Sequence, residues 1–147
     1  MAGGQGVAGR RGAQSALEPL QVVIHDLEQG RAALATAKEL GRSIQLRSAP
    51  GAAAYAGVGY LKALSDALGH ELMIDCGDDA GFTMAALRTG CRRLTFSGAA
   101  ALAERLSEMA EQLDAVVVHE AIAPAMLELL PGDDVATRLR ERLPPGR

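Results

Sequence analysis

Short apolar runs alternate with longer amphipathic segments along most of this chain. The runs are about five residues long and rich in Val, Ile and Leu, which is typical of strands buried in a parallel sheet. The segments between them carry apolar side chains at helical spacing, and several stop just before a glycine, a common helix C-terminus. The predicted strands are 20–24, 43–47, 71–75, 93–97 and 114–119, and the predicted helices are 26–40, 58–68, 81–89, 99–112, 123–130 and 134–143.

This alternation predicts an α/β fold, with a five-stranded parallel sheet and flanking helices. Two arrangements fit the pattern: a flavodoxin-like three-layer sheet, or half of a (β/α)8 barrel, which takes about 250 residues when whole. Periodicity does not distinguish them. We expect a single domain over residues 20–143, a disordered N-terminal tail over 1–19 and a C-terminal tail over 144–147.

The composition is that of a globular protein and argues against several classes of partner. The chain has 147 residues, of which 48% are hydrophobic, so it can bury its own core. Its net charge of −3 argues against nucleic acid and anionic membranes as partners, and no apolar run approaches transmembrane length. Cys76 and Cys91 fall at opposite ends of one β-α-β unit, so we expect two free thiols, as suits a cytoplasmic protein.

The predicted topology also indicates where a ligand would bind. Parallel α/β folds bind ligands at the carboxyl ends of their strands, and every predicted strand of this chain ends in polar residues. A loop of small residues over 48–57 leads into a helix, whose N-terminus favours anions. The candidate site residues are His25, Arg47, Ser48, Gly51, Asp75, Cys76, Ser97, Gly98, His119 and Glu120.

Some of these residues have two interpretations. Cys76, His119 and Glu120, with His25, supply ligand types that suit zinc, which is the candidate cofactor; the alternative is a small buried thiol and two solvated histidines. Asp75 is either an acid/base or ligand-contacting group, or a cap of the following helix together with Asp78 or Asp79.

Several motifs occur here in a familiar order and spacing. Taken together, they resemble the first half of class II fructose-bisphosphate aldolases over about residues 20–98. The matching motifs are Leu27-Glu28-Gln29, Gly51-Ala52, Tyr55-Ala56-Gly57, Tyr60-Leu61 and Asp75-Cys76-Gly77.

The resemblance implies roles for particular residues. The family has Asp-His-Gly where this chain has Asp75-Cys76-Gly77; the Asp donates or accepts the aldol proton beside a zinc, and the His binds that zinc. Asp75 would inherit the proton-transfer role, whereas the zinc-binding His is replaced by Cys76. Val23 stands where the family has a substrate-binding Asn. The family's other metal ligands and phosphate loops come mostly from the second half of the barrel, for which this chain is too short.

Two functional hypotheses follow. The first is a non-catalytic, aldolase-like protein that binds a small phosphorylated metabolite or regulates a process. The alternative is a metal-dependent lyase of aldolase type whose site is completed across a dimer. A subunit that only scaffolds a partner is a third reading. A partial barrel leaves sheet edges open, so either the sheet flattens into the flavodoxin-like form with helices on both faces or two copies associate. We expect the flattened sheet, and we also expect a homodimer.

Overall fold

The fold is an α/β domain with one parallel sheet flanked by helices. The structure, a computed structural model, describes residues 19–146. The predicted N-terminal tail therefore lies outside the described residues, except for Pro19. The strands are β1 (Leu20–Val23), β2 (Ile44–Arg47), β3 (Met73–Asp75), β4 (Arg93–Phe96), β5 (Val116–His119) and β6 (Leu127–Glu128). The helices are α1 (Leu27–Leu40), α2 (Ala52–Tyr55), α3 (Val58–Leu68), α4 (Ala80–Thr89), α5 (Ala100–Gln112) and α6 (Val135–Arg142).

The predicted α/β class and parallel sheet are confirmed, but the sheet has six strands instead of five. Its order is β5-β4-β3-β2-β1-β6, and every pair is parallel. The order follows the chain from β1 to β5, as in a (β/α)8 barrel. The helices pack side by side in the matching order α6-α1-α3-α4-α5.

The sixth strand corrects the predicted helix over 123–130. Leu127 and Leu129 are buried there, and Glu128 between them is exposed, which is the two-residue period of a strand. Leu129 N donates to Val23 O, so the segment pairs with the open edge of β1. This pairing gives hydrogen-bond partners to main-chain groups of both strands. If residues 123–130 formed a helix, the main-chain groups along this edge of β1 would stay unpaired.

Helix ends follow the sequence closely. Asp26, Asp79 and Asp134 each cap a helix by accepting a main-chain N–H with the side chain. Gly41 and Gly90 end α1 and α4 in the left-handed conformation, at φ 64° and 98°. The four-residue helix α2 was not predicted.

The core lies between the helices and one face of the sheet. Alternate residues of the strands form this face, and all are buried: Val22, Leu46, Ile74, Leu94, Val117 and Leu127. Alternation puts Gln21, Gln45, Arg47, Asp75 and Thr95 on the opposite face, which we call the polar face.

The C-terminal segment packs onto the domain. Gly146 N donates to Leu40 O at 2.7 Å, and Arg42 donates to Pro144 O at 2.7 Å. The predicted C-terminal tail is therefore held against the end of α1 as far as Gly146. None of the helices within residues 19–146 combines the length and apolar character needed to cross a lipid bilayer.

Candidate functional site

The centre of the polar face is a buried arginine. Arg47 ends β2 and is only 1% exposed. Its Nη1 donates to Gln21 Oε1 at 2.6 Å, and its Nη2 lies 3.4 Å from Thr95 Oγ1. These contacts extend over β1 to β4, so the side chain lies across the sheet.

Two carboxylates balance this cation. Glu120 accepts from both Nη atoms of Arg47, each at 3.0 Å, in the two-pronged geometry that suits a guanidinium. Asp75 Oδ2 accepts from Nη2 at 3.0 Å. We call Arg47 with Gln21, Asp75, Thr95 and Glu120 the arginine network. Its formal charge is −1, from one cation and two carboxylates.

Burial and ion pairing act in opposite directions on the pKa of Arg47. Burial by itself would lower the pKa of the guanidinium, but hydrogen bonds and charge attraction from Glu120, and then from Asp75, raise that pKa above the ordinary value. Arg47 therefore stays charged. Among the described residues, its Nε is the one buried side-chain nitrogen or oxygen without a hydrogen-bond partner.

Asp75 is held on both of its oxygens. Oδ1 accepts from the main-chain N–H groups of Gly51 and Gly77, both at 2.9 Å, while Oδ2 faces Arg47. Both glycines have positive φ, 67° and 60°, a conformation that other residues adopt with strain. The Asp75 main-chain N–H donates to Ser48 Oγ at 2.9 Å, and Ser48 is itself 2% exposed. Of the three cap candidates Asp75, Asp78 and Asp79, the cap of α4 is Asp79. The side chain of Asp75 instead accepts from Gly51, Gly77 and Arg47.

Most of the predicted polar binding groups are therefore occupied by internal hydrogen bonds. Arg47, Ser48, Gly51 and Asp75 lie together as predicted, but each already has a partner inside the protein. An additional ligand would have to displace one of these bonds. This arrangement is typical of a structural network, since buried polar groups are costly to leave unpaired.

Cys76 lies on the other side of the sheet from Asp75. It is 3% exposed and belongs to the hydrophobic core, and its Sγ is 3.8 Å from Ile74 O. Burial raises the pKa of this thiol to about 11, against a smaller opposing effect from Thr83. A cysteine binds zinc as a thiolate, and this buried environment disfavours the thiolate. Cys91 is likewise a free, buried thiol.

The histidines are apart from each other. His119 Nε2 lies 2.8 Å from Gly98 O, and His25 Nε2 lies 3.1 Å from Glu128 Oε2. No three His, Cys, Asp or Glu side chains within residues 19–146 form a group able to hold a metal ion. The structure thus does not bring Cys76, His119 and Glu120 together.

Ser97 and Gly98 remain accessible at the carboxyl end of β4. Ser97 is exposed, and its main-chain N–H donates to Gly77 O at 2.8 Å, which places this loop beside Asp75. Gly98 packs closely over Phe96: a Cβ there would lie 2.4 Å from the ring. The helix α5 follows, and its N-cap residue, Ala99, provides no side-chain hydrogen bond to the first turn.

One cavity lies away from these residues, between α1 and the start of α6. Its volume is about 680 Å³, in the size range of ligand pockets. Its rim carries Asp26, Glu28, Asp133 and Asp134. That charge opposes a phosphorylated ligand.

A much smaller pocket lies at the carboxyl end of β1. Its volume is about 50 Å³, too small for a metabolite, and its lining includes His25, Tyr55 and Tyr60. Both tyrosines are more than half exposed, so at most part of each ring packs against the domain.

Sequence reasoning missed the partners of Arg47. Gln21 and Thr95 were not predicted to reach it, and Arg47 was expected to face a ligand. A signal was present: in β2, Gln45 and Arg47 alternate with Ile44 and Leu46, which predicts one apolar and one polar face.

A scan against protein-family models found no match for this chain, and a search of curated proteins found no significant relative.

Proposed function

We propose that this protein is a non-catalytic, aldolase-like domain that binds a small phosphorylated metabolite at the carboxyl end of its sheet. One observation carries the proposal: both oxygens of Asp75 are engaged, with Gly51 N, Gly77 N and Arg47. A general acid/base needs an oxygen directed at the substrate. Asp75 instead positions the β2 and β3 loops and neutralises Arg47.

The environment of Cys76 gives no support to the lyase alternative. The family resemblance would make Cys76 the replacement of a zinc-binding His, but its thiol faces the core and has a pKa raised to about 11. A thiolate would have to form in an apolar environment and on the far side of the strand from Asp75.

The loop at Ser97 and Gly98 is where we place the phosphate. Its exposed hydroxyl can donate, and the first main-chain N–H groups of α5 have no side-chain cap. Helix N-termini favour anions because these N–H groups and the helix dipole act together. The arginine network lies next to this loop, but its cation is already neutralised by Glu120 and Asp75.

The experiment is an NMR titration of ¹⁵N-labelled full chain with fructose 1,6-bisphosphate, with fructose as the unphosphorylated control. We expect saturable shifts in the amides of residues 97–101 with the bisphosphate only. Ser97→Ala should weaken binding several-fold. Ser43→Ala is the matched control, because Ser43 is exposed at the opposite end of the sheet, before β2. Absence of shifts in residues 97–101 up to about 10 mM ligand, the range of very weak binding, would refute the site.

We also propose that the protein is a cytoplasmic homodimer. The two free, buried cysteines support a cytoplasmic location, because disulfides are rare in that reducing compartment. The open edges of β5 and β6, each paired on one side only among the described strands, support association.

A further inference from the structure

Within residues 19–146, strand β5 is paired on one side only, with β4, and its other edge is free. Val116 N and Glu120 N donate to Arg92 O and Phe96 O, so the even-numbered residues point their main-chain groups at β4. In a strand, successive residues point these groups to opposite sides. Val117 and His119 therefore direct their N–H and C=O groups away from β4, toward the free edge.

The side chains along this edge are apolar and exposed. Val116 is 56% exposed and Val118 is 37% exposed, and both lie on the polar face because they pair in register with Arg93 and Thr95. Ile122, shortly after the strand, is 88% exposed. Natural sheets protect an edge with Lys, Pro or a bulge. Residues 115–118, Ala-Val-Val-Val, carry none of these.

We propose that this edge binds β5 of a second copy, antiparallel, about a twofold axis at Val117. The register follows from the alternating direction of the main-chain groups along β5. Val117 would face the partner's Val117 and exchange two N–H···O=C bonds with it, and each His119 N–H would donate to the partner's Ala115 C=O. Ala115 N is already bonded to Ala110 O, so it is not needed.

The identity of the partner follows from self-complementarity. Under this twofold axis each Val116 lies opposite the partner's Val118, so the two exposed valines of β5 in each copy cover those of the other. Non-hydrogen-bonded antiparallel pairs bring side chains closest, which favours apolar contact at these positions.

Charge repulsion between the two copies is weak in this antiparallel pairing. The same register brings Asp114 near the partner's Glu120. The carboxylate of Glu120 is 13% exposed and is neutralised by Arg47 at 3.0 Å within its own chain. The inference is independent of the ligand-binding proposal, because it uses only the edge of β5.

The first test is the mass of the full chain by analytical ultracentrifugation, at concentrations from about 1 to 100 μM, the range of moderate dimers. We expect a concentration-dependent dimer. Val118→Lys should raise the dimer dissociation constant about tenfold or more, since two new cations would lie at the apolar contact. Val116→Lys repeats the test, and circular dichroism verifies that each variant is folded. Leu102→Lys, at an exposed position on α5, is the control and should leave the dimer unchanged.

The second test checks the register by disulfide cross-linking. An equimolar mixture of Val116→Cys and Val118→Cys proteins should form a cross-linked dimer under mild oxidation, because the two positions face each other. Either variant alone should not. The native thiols are buried and do not compete.

A monomer at 100 μM, or a dimer indifferent to both lysine variants, would overturn the interface. Cross-linking of one variant alone would overturn the register. Dimer formation lost only on removal of residues 1–18 would assign the contact to that segment and also refute the proposal.

Discussion

Arg47 and Glu120 lie three strands apart in the sheet, yet they form two parallel hydrogen bonds of 3.0 Å. Neighbouring strands are about 4.8 Å apart, so the two side chains must extend toward each other over β3 and β4. This pairing covers the polar face above Thr95 and neutralises the buried cation. It gives the sheet a structural centre at the position where a catalytic site was expected.

Removing the arginine should therefore unfold the domain more easily. Arg47→Met leaves Asp75 and Glu120 largely buried without their cation, and we expect a loss of about 3–5 kcal/mol in the free energy of unfolding. Urea denaturation measures it. Arg140→Met is the control: its pair with Glu39 is exposed, so the change should stay within about 0.5 kcal/mol. Equal effects of the two variants would contradict the structural role.

The glycine that binds Asp75 should resist substitution. Gly77 has φ 60° and donates to Asp75 Oδ1, so Gly77→Ala should cost about 1–2 kcal/mol of unfolding free energy through backbone strain. Gly59→Ala should have the opposite sign. Gly59 lies in α3 with open space around it, and alanine there should stabilise by up to about 1 kcal/mol. A stabilising Gly77→Ala would show that the loop adopts another conformation.

His70 should make stability depend on pH. Its Nε2 accepts from Leu46 N at 3.3 Å, so the fold holds the ring neutral. Burial, followed by the charge of Arg93, lowers the pKa of His70 below its ordinary value. In the unfolded chain this residue takes up a proton near pH 6.5. The contribution of His70 to the free energy of unfolding is thus complete above about pH 6.5, and it declines as the pH falls toward the pKa of His70 in the folded protein.

The check is the unfolding free energy of the wild type and His70→Gln between pH 5 and 8. Gln keeps an acceptor for Leu46 N but does not titrate in this range. The variant should lose stability less steeply on acidification. Identical slopes for the two proteins would mean that His70 is not the group responsible.

The thiols should react slowly in the folded protein. A pKa of about 11 at Cys76, instead of 9.0, lowers its thiolate fraction about 100-fold at pH 8, and burial restricts access further. Labelling Cys91→Ser protein with a chromogenic disulfide reagent should proceed at least about 100-fold more slowly in buffer than in urea. Comparable rates would indicate that the segment around Cys76 opens readily.

Periodicity was sufficient to predict most of the fold. All five predicted strands are present, because apolar runs such as 93–97 and 114–119 are short and bounded by turn residues. The segment 123–130 was misassigned because its apolar positions also fit a helix. Pairing with β1, a long-range contact, decided in favour of a strand, and local propensity cannot reveal such a contact.

The proximity of Arg47, Ser48 and Asp75 was predictable, but the contacts that they make were not. Strand ends at a common edge placed Arg47, Ser48 and Asp75 together. The sequence does not indicate that Glu120 crosses the sheet to Arg47, since this depends on strand order and side-chain reach. Without that pair, a strand-end arginine is readily interpreted as an anion-binding residue.

The measurement that tests the central claim most directly is a zinc-supplemented assay of fructose 1,6-bisphosphate cleavage by wild type and Asp75→Asn. Because Asp75 is engaged on both oxygens, we predict no cleavage above the buffer rate for either protein. Zinc-dependent cleavage by the wild type that disappears in Asp75→Asn would contradict the account and make Asp75 a catalytic residue.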